Sequence, residues 1–402
     1  MKKVVLAYSG GLDTTYCAIY LSQVKGMEVY AITVQTGGFS DEELKNIEER
    51  AYSLGVTSFK VADVTKAYYD NCIRFLIFGN VLKNAVYPLS VSAERMVQAI
   101  SVAEYAKEIG ADYVAHGSTG AGNDQVRFDM VFQSMIPGVG IITPIRDMRL
   151  SREAEITFLQ EHGVDMNFQK AQYSINKGLW GTSVGGKETL SSKGNLPEIA
   201  WPTQISQTES REVELVFEKG ELKGVDGRTF EHPVAAIQYL QAMAQPYGIG
   251  REIHVGDTII GIKGRVGFEA AAPIIIIKAH HLLEKHTLTK WQLYWKDQLS
   301  MWYGNWLHEG MMLDPTMRNI EKFMEDTQRT VTGKVFVTLM PHRFVLNGIE
   351  SEHDLMNNKF GSYGEMNNSW TGDDVKGFAK IFGNQVGIYH SVNGSKIELK
   401  KK

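Results

Sequence analysis

Two rhythms of apolar and polar positions divide the chain. From residue 3 to about 163, short β-branched runs alternate with stretches of helical period. Residues 3–8, 29–34, 58–64, 112–116 and 140–145 read as strands. Residues 14–24, 66–82, 92–109, 124–134 and 152–162 read as helices, with a further helix opening at Ser40 and running to Leu54. Ser40 with Glu43 three residues on forms a capping-box pattern, and Gly55 and Gly163 suit left-handed helix stops. This alternation predicts an α/β fold, a doubly wound parallel sheet covered on both faces.

Residues 164–206 lose the rhythm. They are rich in Gly, Ser, Asn, Lys and Thr, and their length suits a substrate-facing loop better than a spacer. From residue 211 the pattern becomes α+β. A hairpin fits 212–217 and 223–225, a helix 233–244, strands 259–262 and 274–277, helices 291–307 and 317–331, and a hairpin 335–339 with 344–346. A last helix near 373–383 precedes a basic tail. The 291–307 helix carries Trp291, Trp295, Trp302 and Trp306, an aromatic set expected in the core or at a subunit interface.

Composition narrows the class. The chain has 402 residues, of which 43% are hydrophobic and 22% charged, which excludes disordered, collagen-like and disulfide-scaffold chains. A net charge of −4 gives no general attraction to nucleic acid or to an anionic membrane. Cys17 and Cys72 lie in apolar helical stretches, cannot form a four-thiolate zinc site, and fit a reducing compartment. The apolar run at the start is short and enters a Gly-rich turn, and no later run approaches the length of a membrane span, so a cytoplasmic location is expected.

The candidate chemistry sits in two strand-to-helix turns. The first is the run Ala7, Tyr8, Ser9, Gly10, Gly11, Leu12, Asp13, Thr14 and Thr15. Two glycines permit close backbone approach to an anion, hydroxyls add donors, and a helix N-terminus points at whatever lies above the strand. Asp13 suits a helix cap or a contact to magnesium on bound phosphates. The Walker A and Gly-x-Gly-x-x-Gly patterns are both absent. The second turn, Ala115 to Asp129, contains His116, Gly117, Thr119, Asn123, Asp124 and Arg127. Asn123 and Arg127 share a helix face; the Arg suits a bidentate carboxylate clamp and Asp124 an ammonium partner. His116 stands alone, with no Ser-His-Asp set around it.

The first turn resembles the phosphate loop of the ATP pyrophosphatases, and the second resembles the His-Gly-x-Thr-Gly-x-Gly-Asn-Asp-Gln-Val-Arg-Phe signature of argininosuccinate synthases. Tyr173-Ser174, Leu179 to Ser183, Tyr247 to Arg251 and Gly261 to Arg265 are similar to further stretches of that family. The resemblance implies a sheet like that of the adenine nucleotide alpha hydrolases over 1–165, a synthetase domain over 166–365, and an oligomerisation arm over 366–402 that helps to hold a homotetramer. It implies a carbon–nitrogen ligase of arginine biosynthesis that uses ATP and Mg²⁺, with no dedicated metal site in the protein. By match to the family, Ala7 to Thr15 would hold the phosphates of ATP, with Val34 and Gly117 at the nucleoside. Thr119, Asn123 and Asp124 would hold aspartate. Tyr87, Ser92, Asn123, Arg127, Ser174 and Ser183 would hold citrulline. Asp13, Asp124 and Arg127 would stand closest to the chemistry.

The chain departs from the family pattern at three places. Val91 replaces a Thr before Ser92, and Gly256 and Phe268 stand where the family has a citrulline-contacting Glu and Tyr. Asp257 is the adjacent acidic side chain. The missing Glu leaves two readings open: a repacked site for ordinary citrulline, with Asp257 substituting after a one-residue shift, or an acceptor whose α-amine carries no charge, such as an N-acylated citrulline. A tRNA thiolase would want reactive cysteines and a basic face, and an amidotransferase a nucleophilic Cys; the chain offers neither. A non-catalytic ATP-binding regulator is the rival from another class.

Overall fold

The computed structural model describes residues 1–164, 173–357, 361, 363–365 and 369–395. Five parallel strands, β1 (Lys3–Ala7), β2 (Glu28–Gln35), β3 (Ser58–Asp63), β4 (Tyr113–Ala115) and β5 (Gly140–Ile142), form a sheet in the order β3-β2-β1-β4-β5. Val4, Val5 and Leu6 of the central strand are fully buried, because helices cover both faces and no side of β1 meets water. Strand order reverses at β1, which has β2 on one side and β4 on the other. The crevice beyond the carboxyl ends of β1 and β4 is therefore the topological switch point, where such sheets place ligands. Both candidate turns leave the sheet there.

The expected helices are present in this half. The Asp41–Ser53 helix closes its capping box, with the Glu43 N–H donating to Ser40 and the Ser40 N–H to Glu43. The Ser90–Ile109 helix ends on Gly110 and begins after Leu89, a buried residue held at φ +61°. The stretch 66–82 is not one helix: Thr65–Tyr68 and Arg74–Phe78 flank a wider π-turn, Tyr69–Ile73. Cys17 and Cys72 are buried free thiols, and burial pushes both up.

Beyond the parallel sheet the expectations need correction in three places. Part of the aperiodic region is a hairpin, β6 (Ser174–Gly178) and β7 (Gly181–Gly185), rather than a loop. Strands β8 (Arg211–Glu218), β9 (Glu221–Val225) and β10 (Arg228–Thr229) follow, then β11 (Arg251–Asp257) and β12 (Lys263–Glu269). Residues 259–262, read as a strand, form the turn between β11 and β12; an apolar run was mistaken for the strand beside it. Residues 274–277 lie inside the Ala271–Thr287 helix, where Ile275, Ile276 and Ile277 are buried together. A continuous apolar run fits a wholly buried helix as well as a buried strand. Strands β13 (Gly333–Met340) and β14 (Arg343–Glu350) complete two antiparallel sheets, β10-β9-β8-β13-β14 and β11-β12-β7-β6.

The tryptophans divide between two settings, with Trp306 partly buried against the core. In the Lys290–His308 helix the inward stripe is Lys296, Ser300, Tyr303 and Leu307. Trp291, Trp295 and Trp302 lie on the outer face, each more than half exposed, so they are not core.

Met1–His353 forms one compact unit and Asp354–Lys402 a second. The expected boundary at 165/166 lies outside the described residues, as does residue 366 of the second boundary and the basic tail. Within the second unit, the Gly372–Phe382 helix is capped by Thr371, and the Asn384–Val392 helix follows it. Phe378, Ile381, Phe382 and Val392 are exposed there.

Candidate active site

The first turn is built as an anion cradle. After β1, the Tyr8 N–H donates to the Ile32 carbonyl (2.9 Å) and Thr33 donates to the Tyr8 carbonyl (2.6 Å), which fixes where the chain leaves the sheet. Gly10 takes φ +72°, and Arg50 donates to its carbonyl at 3.0 Å. Gly11 precedes the Leu12–Ile19 helix without any side-chain cap, so the first amides of the helix keep their donors for a ligand. Ser9 and Thr14 face each other at 3.3 Å, and the buried Thr15 hydroxyl has no hydrogen-bond partner.

Gly117 brings the second turn against the first. A Cβ there would lie 3.1 Å from the Asp13 side chain, so only glycine fits this approach comfortably. Val34, buried at the end of β2, flanks the same crevice. Behind the cradle, burial and the neighbouring Asp13 carboxylate push Glu155 up to about 8.

His116 is a strut. Its Nδ1 accepts from the Ser118 N–H (3.2 Å) and its Nε2 donates to Asp129 (3.0 Å), which also takes Arg146 (2.7 Å). With both nitrogens engaged, the ring orients the second turn rather than facing a substrate. Asn123 accepts from the Ile259 N–H at 2.8 Å and so holds the β11–β12 turn over the site. Thr119 is exposed.

Asp124 sits between two guanidiniums, Arg95 at 3.0 Å and Arg127 at 2.9 Å. Burial alone would raise its carboxyl; the two arginines outweigh that and hold it below its ordinary value. Arg95 was not anticipated from sequence, because nothing in its helical stretch marks it out. The clamp expected of Arg127 is also spent differently. Its Nε and Nη2 both donate to the His308 carbonyl (3.0 and 2.7 Å), and Nη2 also reaches Ser92 (3.2 Å). The fork that the sequence offers to a carboxylate holds the end of the Lys290–His308 helix instead.

Asp124 and Arg127 line a cavity of about 210 Å³, and Tyr87, Ser92, Asn123 and Ser183 are brought together with them at its wall. Ser174 is not at its wall; it is exposed on β6. Phe268 is buried against Tyr87, its ring centroid 5.3 Å away. Two histidines complete the wall. His254 stacks on Tyr87 at 5.0 Å, and His308 accepts from the Ser92 hydroxyl at 2.9 Å. Burial, with help from Lys83, lowers His254 to about 4; burial, with Arg127 and Lys83, lowers His308 to about 3. Neither had a sequence signal, since one is a single inward position of a strand and the other a helix end. Among the described residues no cluster of three or more His, Cys, Asp or Glu side chains could hold a metal, and no helix is long and apolar enough to cross a membrane.

A parallel sheet with this order, carrying an uncapped glycine turn at its switch point, defines a nucleotide-binding α/β domain of the HUP class. The family model described as the arginosuccinate synthase N-terminal HUP domain matches residues 3–165, and that of the arginosuccinate synthase C-terminal domain matches residues 173–389. The chain belongs to the argininosuccinate synthase family, a family of ligases. It is 36% identical to the argininosuccinate synthase of Dictyoglomus thermophilum, over 98% of this chain and 99% of that one. It is 34% identical to that of Methanocaldococcus jannaschii, over 96% and 97%. The match to the Xanthomonas campestris pv. campestris protein is also 34%, over 98% and 99%.

Proposed function

We propose that the protein joins aspartate to the ureido carbon of a citrulline-type acceptor with cleavage of ATP to AMP and pyrophosphate, a reading consistent with the name argininosuccinate synthase that its relatives carry. The observation that carries this reading is the meeting of the two turns at Gly117 and Asp13, with the anion cradle on one side and the Arg95–Asp124–Arg127 group on the other. In the first step the ureido oxygen attacks the α-phosphate, the bond to the β-phosphate breaks, and pyrophosphate leaves. In the second the aspartate amine attacks the ureido carbon, the carbon–oxygen bond to AMP breaks, and the amine loses a proton. A ureido group is a weak nucleophile and a weak electrophile, so the protein's part is positioning and charge stabilisation.

In this reading Ala7 to Thr15 hold the phosphates, Val34 and Gly117 border the nucleoside, and Asn123 and Asp124 hold aspartate. Tyr87, Ser92, Asn123, Arg127 and Ser183 hold the acceptor. Thr119 and Ser174, both exposed, enter through the family match alone. Magnesium arriving with ATP would neutralise phosphate charge, and Asp13, in the phosphate turn, would be the side chain to contact it. A cytoplasmic location and a homotetramer built with the 366–402 arm complete the proposal.

The test is product analysis with Mg-ATP, aspartate and citrulline-type acceptors. AMP and pyrophosphate in equal amounts, dependent on both co-substrates, are expected. ATP binding without AMP release would point to a non-catalytic nucleotide-binding regulator.

A further inference from the structure

Among the described residues, the cavity that would take the acceptor has no carboxylate to spare for the acceptor's α-ammonium group. Asp124 is paired with Arg95 and Arg127, and the reading above assigns it to aspartate. Asp257 pairs with Lys263 at 2.6 Å and is largely exposed. Free citrulline carries an α-ammonium, and a buried ammonium without an opposite charge is costly.

The side of the cavity at β11 explains why no acid stands there. Position 256 is glycine, and a Cβ on it would fall 2.5 Å from His254 Nε2. The imidazole, stacked on Tyr87, fills the space that a side chain at 256 would need. It is joined by His308, and burial keeps both rings uncharged at neutral pH. The cationic groups nearby add to the mismatch. Arg127 and Arg265 line the cavity, and the bonds that Arg265 makes are to the Glu188 and Gly194 carbonyls.

His308 supplies the positive half of the argument. Its Nδ1 takes the Ser92 hydroxyl and lies 3.4 Å from Arg127 Nη2, so in the neutral ring the proton sits on Nε2. That Nε2 is buried with no side-chain partner, and the only acceptor the structure records beside the ring is the Asp257 main chain. A buried donor held by no more than one loop carbonyl can be shared with a ligand carbonyl. We infer that the preferred acceptor is an N-acylated citrulline, its α-nitrogen an uncharged amide and its acyl carbonyl facing the His254–His308 wall. The inference rests on the ligase reading above, and the chemistry of that reading is unchanged: the product is the N-acyl form of the same condensation product.

The experiment compares kcat/KM for L-citrulline, N-acetyl-L-citrulline and N-succinyl-L-citrulline, following AMP release with Mg-ATP and aspartate saturating. At least one acylated acceptor should exceed free citrulline by tenfold or more; which of the two does so reports whether the acyl chain is neutral or anionic. Parity, or a preference for free citrulline, overturns the inference and leaves the ligase reading standing. No AMP from any acceptor overturns both. A second measurement uses the double variant His254→Ala/Gly256→Glu, which restores a carboxylate and removes the ring that blocks it. With ATP binding retained as the check on folding, the ratio should swing at least tenfold toward free citrulline. An unchanged ratio in that variant also overturns the assignment.

Discussion

Glu155 shows how a single proton is placed under the phosphate turn. The residue is 3% exposed on the Arg152–Glu161 helix, and one of its oxygens has no partner. Burial raises it, and the charge and hydrogen bond of Asp13 raise it further, to about 8. A carboxyl raised in the folded state binds its proton more tightly there than in the unfolded chain. Its contribution to stability is therefore present below about pH 4.5 and is lost as pH rises through about 8. Glu155→Gln keeps a donor toward Asp13 and removes the titration. Between pH 5 and pH 8.5 the parent should lose on the order of 1–3 kcal/mol more stability than the variant. Denaturation midpoints at the two pH values would measure this, and parallel losses would contradict it. Asp13 was visible in the sequence as part of its motif. Glu155 was not, because only the fold brings its helix behind the first turn.

At the scale of elements, the glycine turn is the most constrained piece of backbone in the site. Gly10 lies in the left-handed region, and an added Cβ would come within 3.1 Å of Ile47 Cγ1. Gly10→Ala should cost about 1–2 kcal/mol of stability. It should also weaken ATP binding by tenfold or more, because the turn must open to relieve the contact. Calorimetric titration with ATP, alongside thermal melting, separates the two effects; unchanged ATP affinity would show that the turn is not the cradle. The parallel half of the fold was legible where an element has one clean period and its own start or stop signal, as at Ser40 and Gly55, and less so at 66–82, where a π-turn breaks the helix. The second half was less so. Its helices bury apolar runs on every side, as at 274–277, and His254 and Gly256 of β11 carry no alternation that marks them as inward. The phosphate turn could be read because its residues are contiguous. The histidine side of the acceptor wall could not, because His254 and His308 come from two distant elements, and Arg95, the partner of Asp124, comes from a third.

At the scale of the whole molecule, the second unit leaves large apolar side chains exposed. Its helices have 11 and 9 residues, shorter than an isolated helix needs to be stable in water. They nonetheless carry Phe378, Ile381, Phe382, Ile388 and Val392, all exposed. A chain ending at residue 353 should therefore run at a lower oligomeric state than the full chain in light-scattering chromatography, and equal masses would remove the arm from assembly. The Lys290–His308 helix has a different consequence. It is a rod roughly 28 Å long, and its last carbonyl is gripped by Arg127 at the cavity while its flank turns Trp291, Trp295 and Trp302 outward. A rigid body pinned at one tip behaves as a pointer. The three tryptophans ride on the same helix as the gripped carbonyl, so a ligand that moved the tip would be expected to change their fluorescence.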